Sequence, residues 1–375
     1  MKFIISSSLL VKNLQAINGV IDASKRLPIL ENFLFELNNN NLSITASDLE
    51  TTIKANMEVS KAEQNGRICI PSKLLISTLK TFADIPVYIS VDEDTQLIEI
   101  SAEEGKYEIM GFGADDFPKL PVLENGANFE INSDVLANAI NKTIFATGTD
   151  ELRPVMAGVF IKLFTDKILF VATDAHKLVK YARLDSKINE EASFIANKKP
   201  LNLLKAILST GETAPVHVSF TAQNAVFNYM NTQLFCRLIE GKYPNYDAVI
   251  PIENPNVLTM DKQLIVNALR RISLFSSQAT FLVKFDITGN EVILSAEDVD
   301  FSKKAKEKLP CSFKGDNMQI GFNSKFLLEM LNIIDSKDIA ISMSEPNRAS
   351  VITPAGDENK DEELLMLIMP VMLNQ

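Results

Sequence analysis

The chain is poor in the residues that most often carry chemistry. It has two histidines, His176 and His217, and three cysteines, Cys69, Cys236 and Cys311, all far apart. No pair of them has the spacing of a metal site. Three distant thiols suit reduced cysteines in a cytoplasm and do not make a disulfide framework. The sequence has no Walker loop, GxGxxG or GxSxG. The acids of Asp92-Glu-Asp94 and Asp298-Val-Asp300 read as surface or strand-end carboxylates. No catalytic residue, metal or cofactor is expected.

Long hydrophobic runs are missing as well. Met1-Lys-Phe-Ile-Ile5 meets Ser6-Ser-Ser8 at once, so no signal-peptide core forms. The longest apolar run, Leu364 to Leu373, contains Pro370 and is too short to span a bilayer. Glycine is sparse, at 14 in 375 residues, while 46% of the chain is hydrophobic and 23% charged. That is a globular composition. The net charge of −11 speaks, taken alone, against a nucleic-acid partner.

What is present is a repeat. Ala46-Ser-Asp48, Ala172-Thr-Asp174 and Ala296-Glu-Asp298 each follow a strand-like segment. Pro118, Pro244 and Pro370 are spaced by 126 residues, as are Lys73, Lys199 and Lys325. Such periodicity marks one unit written three times. The expected domains are 1–122, 128–250 and 256–375. Each should hold two helices among about eight strands, with the helices expected over 8–21, 72–83, 133–146, 198–209, 261–277 and 324–334. Leu10, Leu14, Ile17 and Ile21 make the apolar stripe of the first. Ser7 or Ser8 is its expected cap, with Ser133 or Asp134 capping the third. Short loops between alternating strands imply mostly antiparallel sheets, an α+β layering. The Asp of each Ala-x-Asp is expected to bind turn amides.

Charge is segregated. Of the 37 Lys and Arg, eleven fall in the expected helices, against three of the 48 Asp and Glu. Glu forms helices about as well as Lys, so propensity does not explain the bias. A helix-lined surface would be positive on an otherwise negative protein and would take a polyanion through its phosphates, without reading sequence.

Four stretches then point to a family: Leu27-Pro-Ile-Leu-Glu-Asn32, Ala172-Thr-Asp-Ala-His-Lys-Leu178, Glu240-Gly-Lys-Tyr-Pro-Asn-Tyr246 and Met369-Pro370. With the three repeats, the chain resembles the bacterial DNA sliding clamp, the beta subunit of DNA polymerase III, over essentially its whole length. The resemblance implies a head-to-tail homodimer, a six-domain ring with helices inside, that encircles double-stranded DNA. It implies a peptide pocket made by Met156, Thr173, Ala175, His176, Lys177, Leu178, Pro244, Ala248, Val249, Ser350, Leu367, Ile368, Met369, Pro370, Val371, Met372 and Leu373. Its partners would be the replicative polymerase alpha subunit, the clamp loader, repair polymerases and mismatch-repair proteins, with no membrane involved. Matching positions give Lys25, Arg26, Arg153, Lys198 and Lys199 for DNA, and Tyr107, Ile109, Leu274 and Phe275 for the ring joint. The family usually shows Gly and Arg where this chain has Ala175 and Lys177, and often Arg where it has Ala248 and Met372. The pocket is therefore expected to be less basic and more apolar. The alternatives are an acidic three-domain scaffold that does not engage DNA, and a DNA-processing enzyme using the Asp clusters.

Overall fold

The computed structural model describes residues 1–21, 27–120, 123, 126–185, 190–356 and 359–373. The first third forms β1 (Lys2–Ser6), α1 (Ser7–Asn18), β2 (Asn32–Asn38), β3 (Asn41–Ser47), β4 (Thr51–Glu58), β5 (Lys61–Gln64), β6 (Gly66–Pro71), α2 (Ser72–Leu79), β7 (Pro86–Val91), β8 (Leu97–Ala102) and β9 (Gly105–Met110). The middle forms β10 (Ala127–Asn132), α3 (Ser133–Thr143), β11 (Gly158–Leu163), β12 (Ile168–Thr173), β13 (Lys177–Arg183), β14 (Ala192–Asn197), α4 (Lys198–Thr210), β15 (Pro215–Phe220), β16 (Asn224–Tyr229) and β17 (Thr232–Arg237). The last third forms β18 (Asn256–Asp261), α5 (Lys262–Ile272), β19 (Leu282–Thr288), β20 (Glu291–Asp298), β21 (Lys303–Pro310), β22 (Ser312–Lys314), β23 (Met318–Asn323), α6 (Ser324–Ile333), β24 (Asp338–Met343), β25 (Ser350–Ala355) and β26 (Glu362–Ile368). This is the expected α+β order, with two α-helices per third among the described residues.

The helix starts follow from their caps. Ser6, not Ser7 or Ser8, caps α1, its side chain accepting from the Leu9 amide. Ser7 is one residue too far in, and its hydroxyl donates to the Ala83 carbonyl instead. Ser133, 126 residues on, likewise donates to the Glu212 carbonyl and accepts from the Ala214 amide. Asp261 caps α5 through the Leu264 amide, and Asn323 caps α6 through the Lys325 and Phe326 amides. Leu10, Leu14 and Ile17 are buried on α1 as their spacing demands. The expected helices over 133–146 and 261–277 end earlier, and 3-10 turns at Ile144–Ala146 and Ser273–Phe275 follow them.

Two compact bodies emerge, Met1–Ala137 with Lys199–Leu238, and Asn138–Lys198 with Ile239–Gln375. The first contains a five-stranded sheet, β5-β1-β7-β8-β9, and an eight-stranded one, β10-β15-β16-β17-β4-β3-β2-β6. The second contains a nine-stranded sheet, β14-β11-β12-β13-β26-β25-β24-β18-β22, and a four-stranded one, β21-β20-β19-β23. Neighbouring strands run antiparallel, for example β17 on β4 and β13 on β26. The sequence repeat is thus not the packing unit, because sheets cross repeat boundaries. Phe3, Phe33 and Phe35 are fully buried in the first body, and Phe170, Tyr181, Phe285 and Phe322 in the second. Each such ring contributes roughly 1.5–3 kcal/mol by burial.

The repeated turn is built twice, not three times. Asp48 Oδ1 accepts from the Glu50 and Thr51 amides at 3.0 and 2.7 Å. Asp174 Oδ1 accepts from the His176 and Lys177 amides, both at 2.9 Å. The residue after each Asp, Leu49 or Ala175, takes the left-handed conformation at φ 77° or 76°. In the third repeat Asp298 remains inside β20, opposite Lys303 of β21. The pairing extends past the position where the first two repeats turn.

The second body also buries an ionic network. Lys142, 2% exposed, reaches Glu362 at 2.9 Å and Asp335 at 3.0 Å. The Tyr181 hydroxyl donates to Glu362 Oε2 at 2.6 Å, and Arg183 lies 3.5 Å from the same oxygen. Burial alone would raise the Glu362 carboxyl. The Tyr181 hydroxyl, Lys142 and Arg183 outweigh it and hold the carboxyl below the usual range. Burial and the Glu362 contact push the Tyr181 hydroxyl well above its ordinary value.

Candidate partner site and cations

Most of the expected pocket gathers in the second body. The turn Thr173–Lys177 joins β12 to β13, and β26 pairs with β13 so that Lys177 faces Ile368 and Leu178 faces Leu367. Ser350 at the start of β25 pairs with Ile368 from the other side. Beyond β26 the tail is fastened at two points. The Met369 amide donates to the His176 carbonyl at 2.9 Å, and the Val371 amide donates to the Gly321 carbonyl at 2.8 Å. Any Cβ at Gly321 would lie 2.6 Å from the Val371 carbonyl oxygen and 3.0 Å from Leu373. That is why glycine sits mid-strand there.

Apolar packing completes the site. Leu178, Leu367 and Tyr243 belong to one core cluster, with Val155, Phe160, Tyr246 and Ile250 packed against it. Tyr243 stacks on Phe160 with centroids 4.9 Å apart. Pro244 accepts from the Tyr246 amide, opening the short turn Tyr246–Val249 that carries Ala248 and Val249. Lys180 of β13 ties that turn down through Asp247 at 2.7 Å. Met156 sits beside the Asp174 turn, since a Cβ on Gly148 would touch both Met156 and Asp174.

Burial sorts these residues. Met156, Thr173, Lys177, Leu178, Ser350, Leu367 and Ile368 are buried. Ala175, His176, Ala248, Val249, Met369 and Met372 are exposed, and Pro244, Pro370, Val371 and Leu373 lie between. Lys177 is therefore not a rim cation. Its ammonium lies 2.5 Å from Glu329 and 3.6 Å from Asp174, over the Phe326 ring at 4.5 Å. Sequence reasoning missed Phe326, which stacks near His176 at 6.2 Å, and missed Gly321. A glycine inside the strand-like Gln319-Ile-Gly-Phe322 was the available signal. A separate cavity of about 500 Å³ in the same body is lined by Lys142, Asp335, Thr353 and Glu362 among others. None of the pocket residues lines it, and the Lys142 charge there is already matched.

Ala175 carries strain. Its φ of 76° suits glycine, and an L-residue there is held against a cost of about 1 kcal/mol. Ala175→Gly is expected to raise stability to urea by about 0.5 kcal/mol after the extra freedom glycine gives the unfolded chain. A lower urea midpoint would contradict the strain.

The helix cations are fewer in effect than in number. Among the described residues six α-helices hold ten Lys and Arg against Asp134 and Glu329. Lys142, Lys199 and Arg271 are matched by carboxylates, and Lys262 donates to the Ile334 carbonyl. Lys199 reaches Asp48 at 2.5 Å and the Val20 carbonyl at 3.2 Å in the first body. Arg153 is half-exposed in the second body and paired with Asp150 at 2.8 Å. The Leu152 amide and Arg153 hold the Asp150 carboxyl low. Lys198 is half-buried at the start of α4. Lys25 and Arg26 lie outside the described residues. At the proposed joint, Tyr107 is exposed and packs against Phe82 at 5.3 Å, while Leu274 and Phe275 are exposed on the turn after α5. Ile109 lies two residues on, on the same face of β9 as Tyr107, and is only 5% exposed within the chain.

Among the described residues no cluster of His, Cys, Asp or Glu could hold a metal ion, and no helix is long and apolar enough to cross a membrane. Family models of the DNA polymerase III beta subunit match in tandem: the N-terminal domain over 1–121, the central domain over 130–245 and the C-terminal domain over 247–371. The chain is 29% identical to the beta sliding clamp of Synechocystis sp. and 27% identical to that of Bacillus subtilis, covering 100% and 99% of both chains respectively. It is similar to the crystal structure of the DNA polymerase sliding clamp from Bacillus subtilis, with a TM-score of 0.93 at 25% identity over 100% of each chain. A DNA polymerase III subunit beta structure from Pseudomonas aeruginosa gives 0.92 at 25% identity over 99% of this chain and 100% of that one. The chain belongs to the DNA polymerase III beta subunit family.

Proposed function

We propose that the protein is a DNA sliding clamp, the processivity factor of a replicative polymerase. Two copies of three domains, 1–122, 128–250 and 256–375, close head to tail into a ring around duplex DNA. The observation that carries this reading is the tandem of three family domains over 1–121, 130–245 and 247–371. The protein performs no bond chemistry; its action is topological, and it works in the cytoplasm. Helix cations, with Lys25, Arg26, Arg153, Lys198 and Lys199 as candidates, meet backbone phosphates without reading bases. The ion pairs of Lys199 and Arg153 weaken that contact, which favours sliding over anchoring.

The site around Thr173–Leu178, Pro244–Val249, Ser350 and Leu367–Leu373 receives short peptides. The polymerase alpha subunit, the clamp loader, repair polymerases and mismatch-repair proteins supply them in turn. Methionines at Met369 and Met372 adapt to several sequences. The test is retention: loaded by its ATP-driven loader, the protein should stay on nicked circular DNA through gel filtration and be lost once the DNA is cut. Equal retention on circles and linear duplex would refute the ring.

A further inference from the structure

The first body repeats the construction of the partner site with different side chains. The turn after β3 shares its bonding with the turn after β12. The Leu49 amide donates to the Ser47 hydroxyl at 3.2 Å, as the Ala175 amide does to Thr173 at 3.1 Å. Cys236 of β17 faces Thr51 of β4, as Ile368 of β26 faces Lys177 of β13. The Arg237 amide then donates to the Glu50 carbonyl at 2.9 Å, as the Met369 amide does to the His176 carbonyl. Pro118 lies one repeat before Pro244. Arg237 thus takes the place of Met369, Leu49 that of Ala175 and Glu50 that of His176.

These residues border a cavity of about 340 Å³, within the size range of ligand pockets. Leu49, Phe235 and Pro118 supply apolar walls, and Lys119, Arg237 and Glu50 supply charge. Leu49 is 56% exposed and holds a φ of 77°, uncommon for a side chain of its size. A strained residue that lines a cavity and keeps an apolar group largely in water points to binding, since strain of this kind gathers at functional sites. Arg237 lies 3.9 Å from Glu50 with both side chains more than half exposed, a pair that contributes little in water. Lys119 is exposed and has no carboxylate partner among the described residues. Asp48, the other acid of the turn, is 2% exposed and engaged by Lys199 and the turn amides. The cavity therefore carries two cations to one carboxylate, on a chain of net charge −11.

We propose that this cavity is a second peptide-docking site, and that it takes an acidic segment of a partner protein. An apolar residue of that segment packs against Leu49 and Phe235, and its carboxylates meet Lys119 and Arg237. The matching places in the second body hold Met369 and Ala175, so the two sites on one chain divide their partners by charge. A concave opening with apolar walls does not follow a phosphate backbone, which favours peptide over nucleic acid. The analogy rests on the peptide reading of the second-body site; the second location and its acidic preference go beyond it.

The test uses the full chain and a labelled probe, Asp-Asp-Leu-Phe-Asp-Asp, followed by fluorescence anisotropy. The probe should bind with a Kd below about 1 mM, and the polymerase-derived peptide should bind the same chain at the same time. Arg237→Glu and Lys119→Glu should each raise the probe's Kd at least ~10-fold and leave the polymerase peptide unaffected. Leu49→Gly suits the backbone there, so a lost affinity is not a lost fold; it should raise the Kd at least ~5-fold. Raising salt from about 0.1 to 1 M should weaken the probe more than its Asn-for-Asp analogue. No binding up to about 1 mM, or indifference to both charge reversals, overturns the inference. One-for-one displacement by the polymerase peptide also overturns it, and leaves the second-body reading standing. Displacement by a duplex oligonucleotide assigns the cavity to phosphates and overturns the peptide. Failure of the second-body reading shows separately, as a polymerase peptide indifferent to Val249→Glu.

Discussion

Glu362→Ala will destabilise the second body by about 3–5 kcal/mol, the range found when one partner of a buried ion pair is removed. The substitution strands Lys142, which is 2% exposed, with Asp335 alone, and it removes the acceptor of the Tyr181 hydroxyl. Urea unfolding followed by far-UV circular dichroism measures the loss; a shift below about 1 kcal/mol, the scale of an exposed pair, would show that the network is solvated. The network also sets an acid limb. The Glu362 carboxyl lies below its ordinary value of 4.5 in the folded protein, so the folded state binds its proton less readily than the unfolded chain does. Its contribution is complete above that ordinary value and is lost as pH falls through the depressed folded one. In Glu362→Gln this part of the pH dependence disappears.

Removing residues 369–375 will weaken binding of a polymerase-derived peptide at least ~100-fold, about 2.7 kcal/mol, while the protein keeps its mass in solution. The deletion takes away both fastenings of the tail, at His176 and Gly321, together with the exposed Met369 and Met372. It leaves the joint candidates Tyr107, Leu274 and Phe275 untouched. Because the deletion also uncovers the β23 edge, Val249→Glu serves as a second variant. Val249 is 56% exposed on its short turn, and a charge there should lower peptide affinity by about tenfold without affecting folding. Fluorescence anisotropy of a labelled peptide reads both. Unchanged affinity in the two variants would place the peptide elsewhere.

The helices were legible because burial imposes a 3.6-residue period, as Leu10, Leu14 and Ile17 show. β21 was not, because Lys303-Lys-Ala-Lys-Glu-Lys308 carries no apolar alternation; a strand at a sheet's end has one neighbour to satisfy and can be almost wholly polar. The repeat showed in Asp48 and Asp174, whose turns are local and depend on a few adjacent residues. It failed at Asp298 because a continuing ladder with β21 replaces the turn. The sequence placed Lys177 in the pocket but gave no sign that it is buried, since lysines seldom are. What buries it is Glu329, 152 residues away, and no local pattern announces a partner at that distance. Ile109 shares a face of β9 with the exposed Tyr107 yet is buried, and a two-residue period cannot tell apart two positions on one face.

The pairing of β4 with β17 has a consequence for synthesis. Asn56, in β4, must wait for Asn231, 175 residues later in the chain, before their hydrogen bond can form. At roughly 5–20 residues per second on the ribosome, that is a delay of about 10–35 s. Throughout it a strand destined for the middle of an eight-stranded sheet has one side open. The nascent N-terminal third is therefore unfinished protein, not a completed first bead on a string, and another emerging copy is the hazard nearest to hand. Lys54 and Glu58 on that open strand are the charges available to discourage the wrong neighbour until β17 arrives.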